Sequence, residues 1–136
     1  MSDESTRTER TGGVDAHLAR HGKVAYMQIP AADTAVSADF YRDVFGWSIL
    51  NDSPAHRSFA DATSELIGAF VTGRKIAAEA GLLPYIYVEG IDATVASIRA
   101  GGGEIVAEPY AEGGLWVATF RDPAGNLLGI WQQGPR

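Results

Sequence analysis

The chain has no cysteine, which removes disulfides, thiolate metal sites and thiol nucleophiles together and suits a cytoplasmic protein, the location expected here. No apolar run approaches the roughly 20 residues that a membrane helix needs. Cations are scarce: 11 Lys and Arg against 17 Asp and Glu leave a formal charge of −6. No basic stripe offsets that balance, so nucleic acid is excluded as a partner. Histidine is rare too, at positions 17, 21 and 56 only: the first two lie in or beside the polar opening segment and the third in a loop with Arg57, so each reads as a solvated side chain. The opening residues 1–20 are polar, contain glycine and lack the apolar core of a signal peptide, so they are expected to form a mobile tail.

A chain of 136 residues is one domain's worth, able to bury a proper core but too short for two independent ones. Its centre of organisation is Phe120–Trp131, a turn followed by an apolar strand. Asp122-Pro123-Ala124-Gly125-Asn126 supplies what a tight turn requires: Pro to preset φ, Gly or Asn for positive φ, and Asp to bond nearby amides. A weaker copy stands upstream at Phe59–Phe70, with Asp61 matching Asp122, Gly68 matching Gly129 and Phe70 matching Trp131, at a constant offset of 61.

The segments before each turn repeat as well. Residues 23–29 have strand composition and stop at Pro30. Asp33 caps a helix whose apolar face is Val36, Phe40, Tyr41 and Val44, and Gly46 ends it. Strands follow at 47–50, 57–60 and 67–72. In the second half a strand at 83–88 leads to a helix capped by Asp92, with Val95 and Ile98 inward and Gly101-Gly102-Gly103 as its stop. Strands are then expected at 104–107, 115–120 and 127–132, with residues 109–114 as a loop that either gates a cavity or simply connects two strands. The fold class is α+β: two βαβββ modules, about 22–73 and 82–133, each a curved four-stranded mixed sheet with an outer helix, whose concave inner faces would meet.

These segments resemble the vicinal oxygen chelate superfamily, the glyoxalase, bleomycin-resistance and extradiol-dioxygenase group. The resemblance rests on Ile29-Pro30, the spacing to Asp33, Phe40-Tyr41-Arg42-Asp43-Val44-Phe45-Gly46-Trp47 and Asp122-Pro123-Ala124-Gly125-Asn126, and covers about residues 22–133. It implies paired βαβββ units and, in the enzymes, a divalent metal held at one position on the first and last strand of each unit by His, Glu or Gln. Carried over, those positions fall on Tyr26, Gly68, Gly129 and either Leu83 or Tyr85. None is an ordinary divalent-metal ligand, so no metal and no cofactor is expected.

Period-two alternation instead places Tyr26 with Gln28, Gly68 with Phe70, Tyr85 with Tyr87, and Gly129 with Trp131 on common faces. With those faces inward, and with Trp116 beside the loop at 109–114, the cavity is lined by rings with glycine gaps. Such a slot suits a small hydrophobic or aromatic molecule. Phe40, Tyr41 and Trp47 are expected to fill core only. The resulting expectation is a metal-independent small-molecule binding protein with a resistance or sequestration role, homodimeric because each curved sheet needs covering. The alternatives are a metal-dependent glyoxalase-like lyase, isomerase or dioxygenase, and a non-catalytic interaction subunit.

Overall fold

The computed structural model describes residues 16–79 and 81–136. The first module contains β1 (Tyr26–Pro30), α1 (Thr34–Phe45), β2 (Ser48–Ser53), β3 (His56–Ala60) and β4 (Ile67–Val71). The second contains β5 (Tyr85–Tyr87), α2 (Ile91–Ala100), β6 (Glu104–Glu112), β7 (Leu115–Arg121) and β8 (Leu127–Gln133). The sheets have strand orders β1-β4-β3-β2 and β5-β8-β7-β6. Each is mixed, since β1 runs parallel to β4 and β5 parallel to β8 while the other pairs are antiparallel.

Helix α1 forms where the sequence places it. The Asp33 carboxylate accepts from the Ala35 amide at 3.0 Å, and Gly46 ends the helix at φ 75° with its N–H donating to the Arg42 carbonyl. A left-handed glycine at this point spares the strain a Cβ would bring. Val36, expected on the buried face, is exposed; the packed stripe is Ala38, Phe40 and Tyr41. Helix α2 is capped differently from the sequence expectation. Gly90 occupies the cap, Asp92 lies inside the first turn, and the Ile91 amide is met at 2.7 Å by the side-chain oxygen of buried Gln132 on β8.

The expected loop at 109–114 is mostly strand. β6 continues through Pro109 to Glu112, leaving Gly113-Gly114 as a short connection. Proline is tolerated because β6 is an edge strand whose pairing with β7 is irregular between Ile105 and Tyr110. Of the two readings of 109–114, gate or connection between two strands, the structure has the connection, a hairpin turning at Gly113-Gly114. The tail assignment for residues 1–15 lies outside the described residues, whereas Leu18 is buried and the His17 Nε2 lies 2.8 Å from the Ser64 carbonyl.

One apolar core joins the modules. It takes Ile29, Phe59 and Phe70 from the first sheet, Phe40 and Tyr41 from α1, Ile91, Val95 and Ile98 from α2, and Phe120, Leu128 and Ile130 from the second sheet. The Phe40 ring lies 6.1 Å from Phe120 and the Tyr41 ring 5.7 Å from Phe70, so α1 is packed between both sheets. The other faces of the sheets point away from this shared core. The two inner faces do not meet within this chain: the helices meet, and among the described residues each sheet leaves its far face open.

The segment between the modules is stitched down. Ala77 donates to the Asn126 side-chain oxygen and accepts from the Leu127 amide, both at 2.8 Å. The Arg121 guanidinium donates to the Ala78 carbonyl, and the Asn126 side-chain nitrogen donates to the Pro30 carbonyl at 2.7 Å.

Candidate functional site: two open sheet faces

The two aspartate turns set which residues reach the open faces. Asp122 is buried and accepts from the amides of Ala124, Gly125 and Asn126 at 2.9–3.0 Å through one oxygen. Its other oxygen accepts from the Tyr41 hydroxyl at 2.8 Å and the Asn126 side chain at 3.0 Å. Burial first, then the charge and hydrogen bond of Asp122, push the Tyr41 phenol well above its ordinary pKa. Asp61 makes the same kind of turn with Glu65 and Leu66, but there the closing bond runs from Asp61 N–H to Leu66, against Asp122 to Asn126 in the second copy. The first turn is thus one residue longer, and Ser64 absorbs the extra residue at φ 62°.

A single added residue exchanges the faces of the strand that follows. Past the turn Gly129 corresponds to Ala69 rather than to Gly68. The pairing agrees, for Ala69 stands beside Gln28 and Gly129 beside Tyr85. Gly68 and Phe70 accordingly face the helices: a Cβ on Gly68 would sit 2.0 Å from the Met27 carbonyl oxygen and 2.4 Å from the Phe59 ring. Their expected place on the ligand face is corrected. Trp116 also points to the helix side, opposite Gln132, with the Arg136 guanidinium 4.8 Å above its ring.

The remaining residues keep the expected faces. Tyr26 and Gln28 lie on the open face of the first sheet, and both are exposed. Ser58 and Ala60 of β3 and Ser48, Asn51 and Ser53 of β2 share that face, with His56 opposite Ser53. Tyr85, Tyr87, Gly129 and Trp131 lie on the open face of the second sheet. The Tyr85 ring covers Gly129, where a Cβ would come within 2.3 Å of it. Tyr87 meets Trp131 edge to face at 4.7 Å. Tyr110, missed as a site residue because it was assigned to a loop, pairs with Val117 and joins this face. Partial desolvation first, then Glu112 and Tyr85, raise its phenol pKa.

The family positions for a divalent ion correspond, in the observed register, to Tyr26 or Gln28, Ala69, Tyr85 and Gly129. The set offers phenols, one amide, a methyl group and a hydrogen, so it does not fit a divalent cation. Among the described residues no three His, Asp or Glu side chains converge on a possible metal site. A cleft of about 800 Å³ also lies between the modules, walled by Met27, Phe45, Trp47, Leu66, Ile86 and Leu128 and bordered by Tyr85 and Tyr87 of the ring face.

Fold and repeat together define a paired βαβββ protein of the vicinal oxygen chelate type. Residues 23–130 match the model of the Glyoxalase/Bleomycin resistance protein/Dioxygenase superfamily, and the chain belongs to that family. It is 28% identical over 123 residues to the "Putative glyoxylase CFP32" of Mycobacterium tuberculosis, covering 83% of this chain and 46% of that protein. It is 27% identical over 131 residues to the "Anthracycline biosynthesis protein DnrV" of Streptomyces peucetius, covering 83% and 48%. The chain thus spans about half the length of these relatives. Among solved structures, a glyoxalase/bleomycin resistance protein/dioxygenase family enzyme from Burkholderia phytofirmans superposes with a TM-score of 0.70 at 20% identity, over 82% of this chain and 99% of that one. TnmS3, an antibiotic binding protein from Streptomyces sp. CB03234, superposes with a TM-score of 0.65 at 23% identity, over 83% and 97%.

Proposed function

We propose that the protein holds a small hydrophobic or aromatic molecule without using a metal ion, in a resistance or sequestration role. The observation that carries this reading is the Tyr85 ring lying over Gly129: at the place where family enzymes present a ligand atom, this chain presents an aromatic surface. With Tyr87 and Trp131, and with Tyr110 across Val117, it makes a ring-bearing face suited to stacking. Relatives whose names refer to anthracycline biosynthesis and antibiotic binding accord with such a ligand.

The reading includes a homodimer. A ring-bearing face on the second sheet and a mixed polar and apolar face on the first make a closed cavity when a second copy lays its first sheet over the second sheet of its partner. Light scattering tests this, and a monomer mass at micromolar concentration refutes it.

Binding is tested by thermal shift against a panel of apolar and aromatic compounds. A specific ligand at 100 times its Kd adds about 2.7 kcal/mol, and Tyr87→Ala is expected to abolish that gain. Absence of any shift across the panel favours an interaction subunit instead. The glyoxylase name of the mycobacterial relative supports the enzymatic alternative, a lyase, isomerase or dioxygenase. Near-stoichiometric nickel, zinc, iron or manganese after purification, lost in His56→Ala, establishes that alternative and overturns this proposal.

A further inference from the structure

We infer that the bound molecule is a flat, uncharged ring system carrying several hydroxyl or carbonyl oxygens; this rests on the binding reading and its dimer, and specifies the ligand. The two open faces differ in chemistry. On the second sheet the rings of Tyr85, Tyr87 and Trp131 and, three strands across, Tyr110 form an apolar platform. Three strand spacings of about 4.8 Å make it roughly 14 Å wide, enough for three fused rings lying flat.

The open face of the first sheet is mixed: polar side chains stand among the apolar Tyr26, Ala60, Ile67, Ala69 and Val71. Its ladder positions include Gln28, Ser48, Asn51, Ser53 and Ser58, whose amides and hydroxyls supply neutral donors and acceptors. None of its paired positions is Asp, Glu, Lys or Arg. The two charged residues of that sheet, Asp52 and Arg57, pair with each other at 2.8 Å on the helix side. Among the described residues, the side chains of Gln28 and Ser58 make no hydrogen bond.

Covering this face would strip water from those groups, and a buried donor or acceptor without a partner is costly. Oxygens spaced around the edge of a flat ligand restore the lost bonds while its faces lie against the rings. Charge narrows the class further. Glu112 stands beside Tyr110 on the ring face, opposite Leu115, and disfavours an anion. Arg121, the basic residue of the same face on β7, is engaged by the carbonyls of Ala78 and Gly125.

The test uses the full chain and follows tryptophan fluorescence during titration with three probes. Quinizarin is flat, dihydroxylated and uncharged at neutral pH; anthraquinone lacks its hydroxyls; an anthraquinone sulfonate adds a negative charge. Quinizarin is expected to bind about tenfold more tightly than anthraquinone, with the sulfonate weakest. In Gln28→Leu combined with Ser58→Ala, both at exposed or half-buried positions, quinizarin falls to the anthraquinone level while anthraquinone is unchanged. Tyr87→Ala weakens quinizarin and anthraquinone alike. Equal affinities for quinizarin and anthraquinone, or a preference for the sulfonate, overturn the oxygen-rich neutral class but leave small-molecule binding standing. Failure of all three probes overturns this inference, and the wider thermal-shift panel then decides the binding reading separately.

Discussion

Two glycines that occupy matching places in the sequence repeat should respond in opposite ways to the same added methyl group. At Gly68 the new Cβ would stand 2.0 Å from a backbone oxygen, Met27 O, and 2.4 Å from the Phe59 ring, which is fully buried. Neither neighbour can yield without parting β1 from β4 or disturbing the core. Overpacking of this kind costs about 1–3 kcal/mol and more where backbone must move, so a loss of at least about 3 kcal/mol is expected for Gly68→Ala. For a domain of this size, about 4 °C of melting temperature accompanies each kcal/mol, giving a fall of about 12 °C or more. At Gly129 the three atoms nearest the new Cβ all belong to the Tyr85 ring, which is 44% exposed and free to swing outward. Lower chain entropy in the unfolded state offsets the remaining contact cost, and Gly129→Ala should melt within about 4 °C of the parent. Circular dichroism melts and urea midpoints read both variants. Equal destabilisation of the two would show that Tyr85 is fixed, and would refute the assignment of Gly129 to an open face.

The same contrast applies to the turns: Asp122→Ala, which removes the acceptor for five donors in a buried site, is expected to cost about 3–5 kcal/mol by urea denaturation. Asp61→Ala, in the more exposed turn, should cost about 1–2 kcal/mol, and a reversed order would contradict the packing of Tyr41 on Asp122. Tyr41 predicts an alkaline limit to stability. Its folded pKa is raised, so the unfolded chain ionises first; the contribution is complete below about pH 10 and is lost as pH climbs through the folded value, at up to about 1.4 kcal/mol per unit. Urea midpoints between about pH 9 and pH 11 should fall more steeply for the parent than for Tyr41→Phe. Gln132→Ala leaves the first amide of α2 without its buried partner and should lower stability by about 1–3 kcal/mol, which Gln132→Glu at neutral pH partly restores if the oxygen is what matters.

Much of the fold was legible because local chemistry and tertiary structure agree. Asp33 and Gly46 mark the ends of α1 in the sequence as they do in space, and the Asp-Pro turn precedes the last strand as its residue types require. The repeat also led to the pairing of modules. It misled at one point, since an offset of 61 holds at the two aspartates and fails beyond them, because the first turn admits one more residue through the left-handed Ser64. Nothing in the residue types announces that change: serine is an unremarkable turn former, and Gly68 falls in line with Gly129 by coincidence. One residue of slip was enough to send Gly68 and Phe70 to the helix side. Trp116 was drawn in only by nearness to a loop that turned out to be strand. Tyr26, Gln28, Tyr85, Tyr87 and Trp131 were legible because alternation within a single strand needs no knowledge of its partner. The cap on α2 was not, because its acceptor arrives from Gln132, 41 positions away in the chain.

The stitched crossing between the modules bears on how two copies can meet. Exchanging whole modules between chains would first require Ala77 to release both Asn126 and Leu127, and Arg121 to release Ala78, while Asn126 lost its hold on Pro30. At about 1 kcal/mol net for each bond, and more for a buried amide stranded without a mate, that route carries a barrier set by several simultaneous ruptures. In the dimer proposed above, each polypeptide would therefore reach its counterpart already shut, docking as a finished body rather than trading limbs.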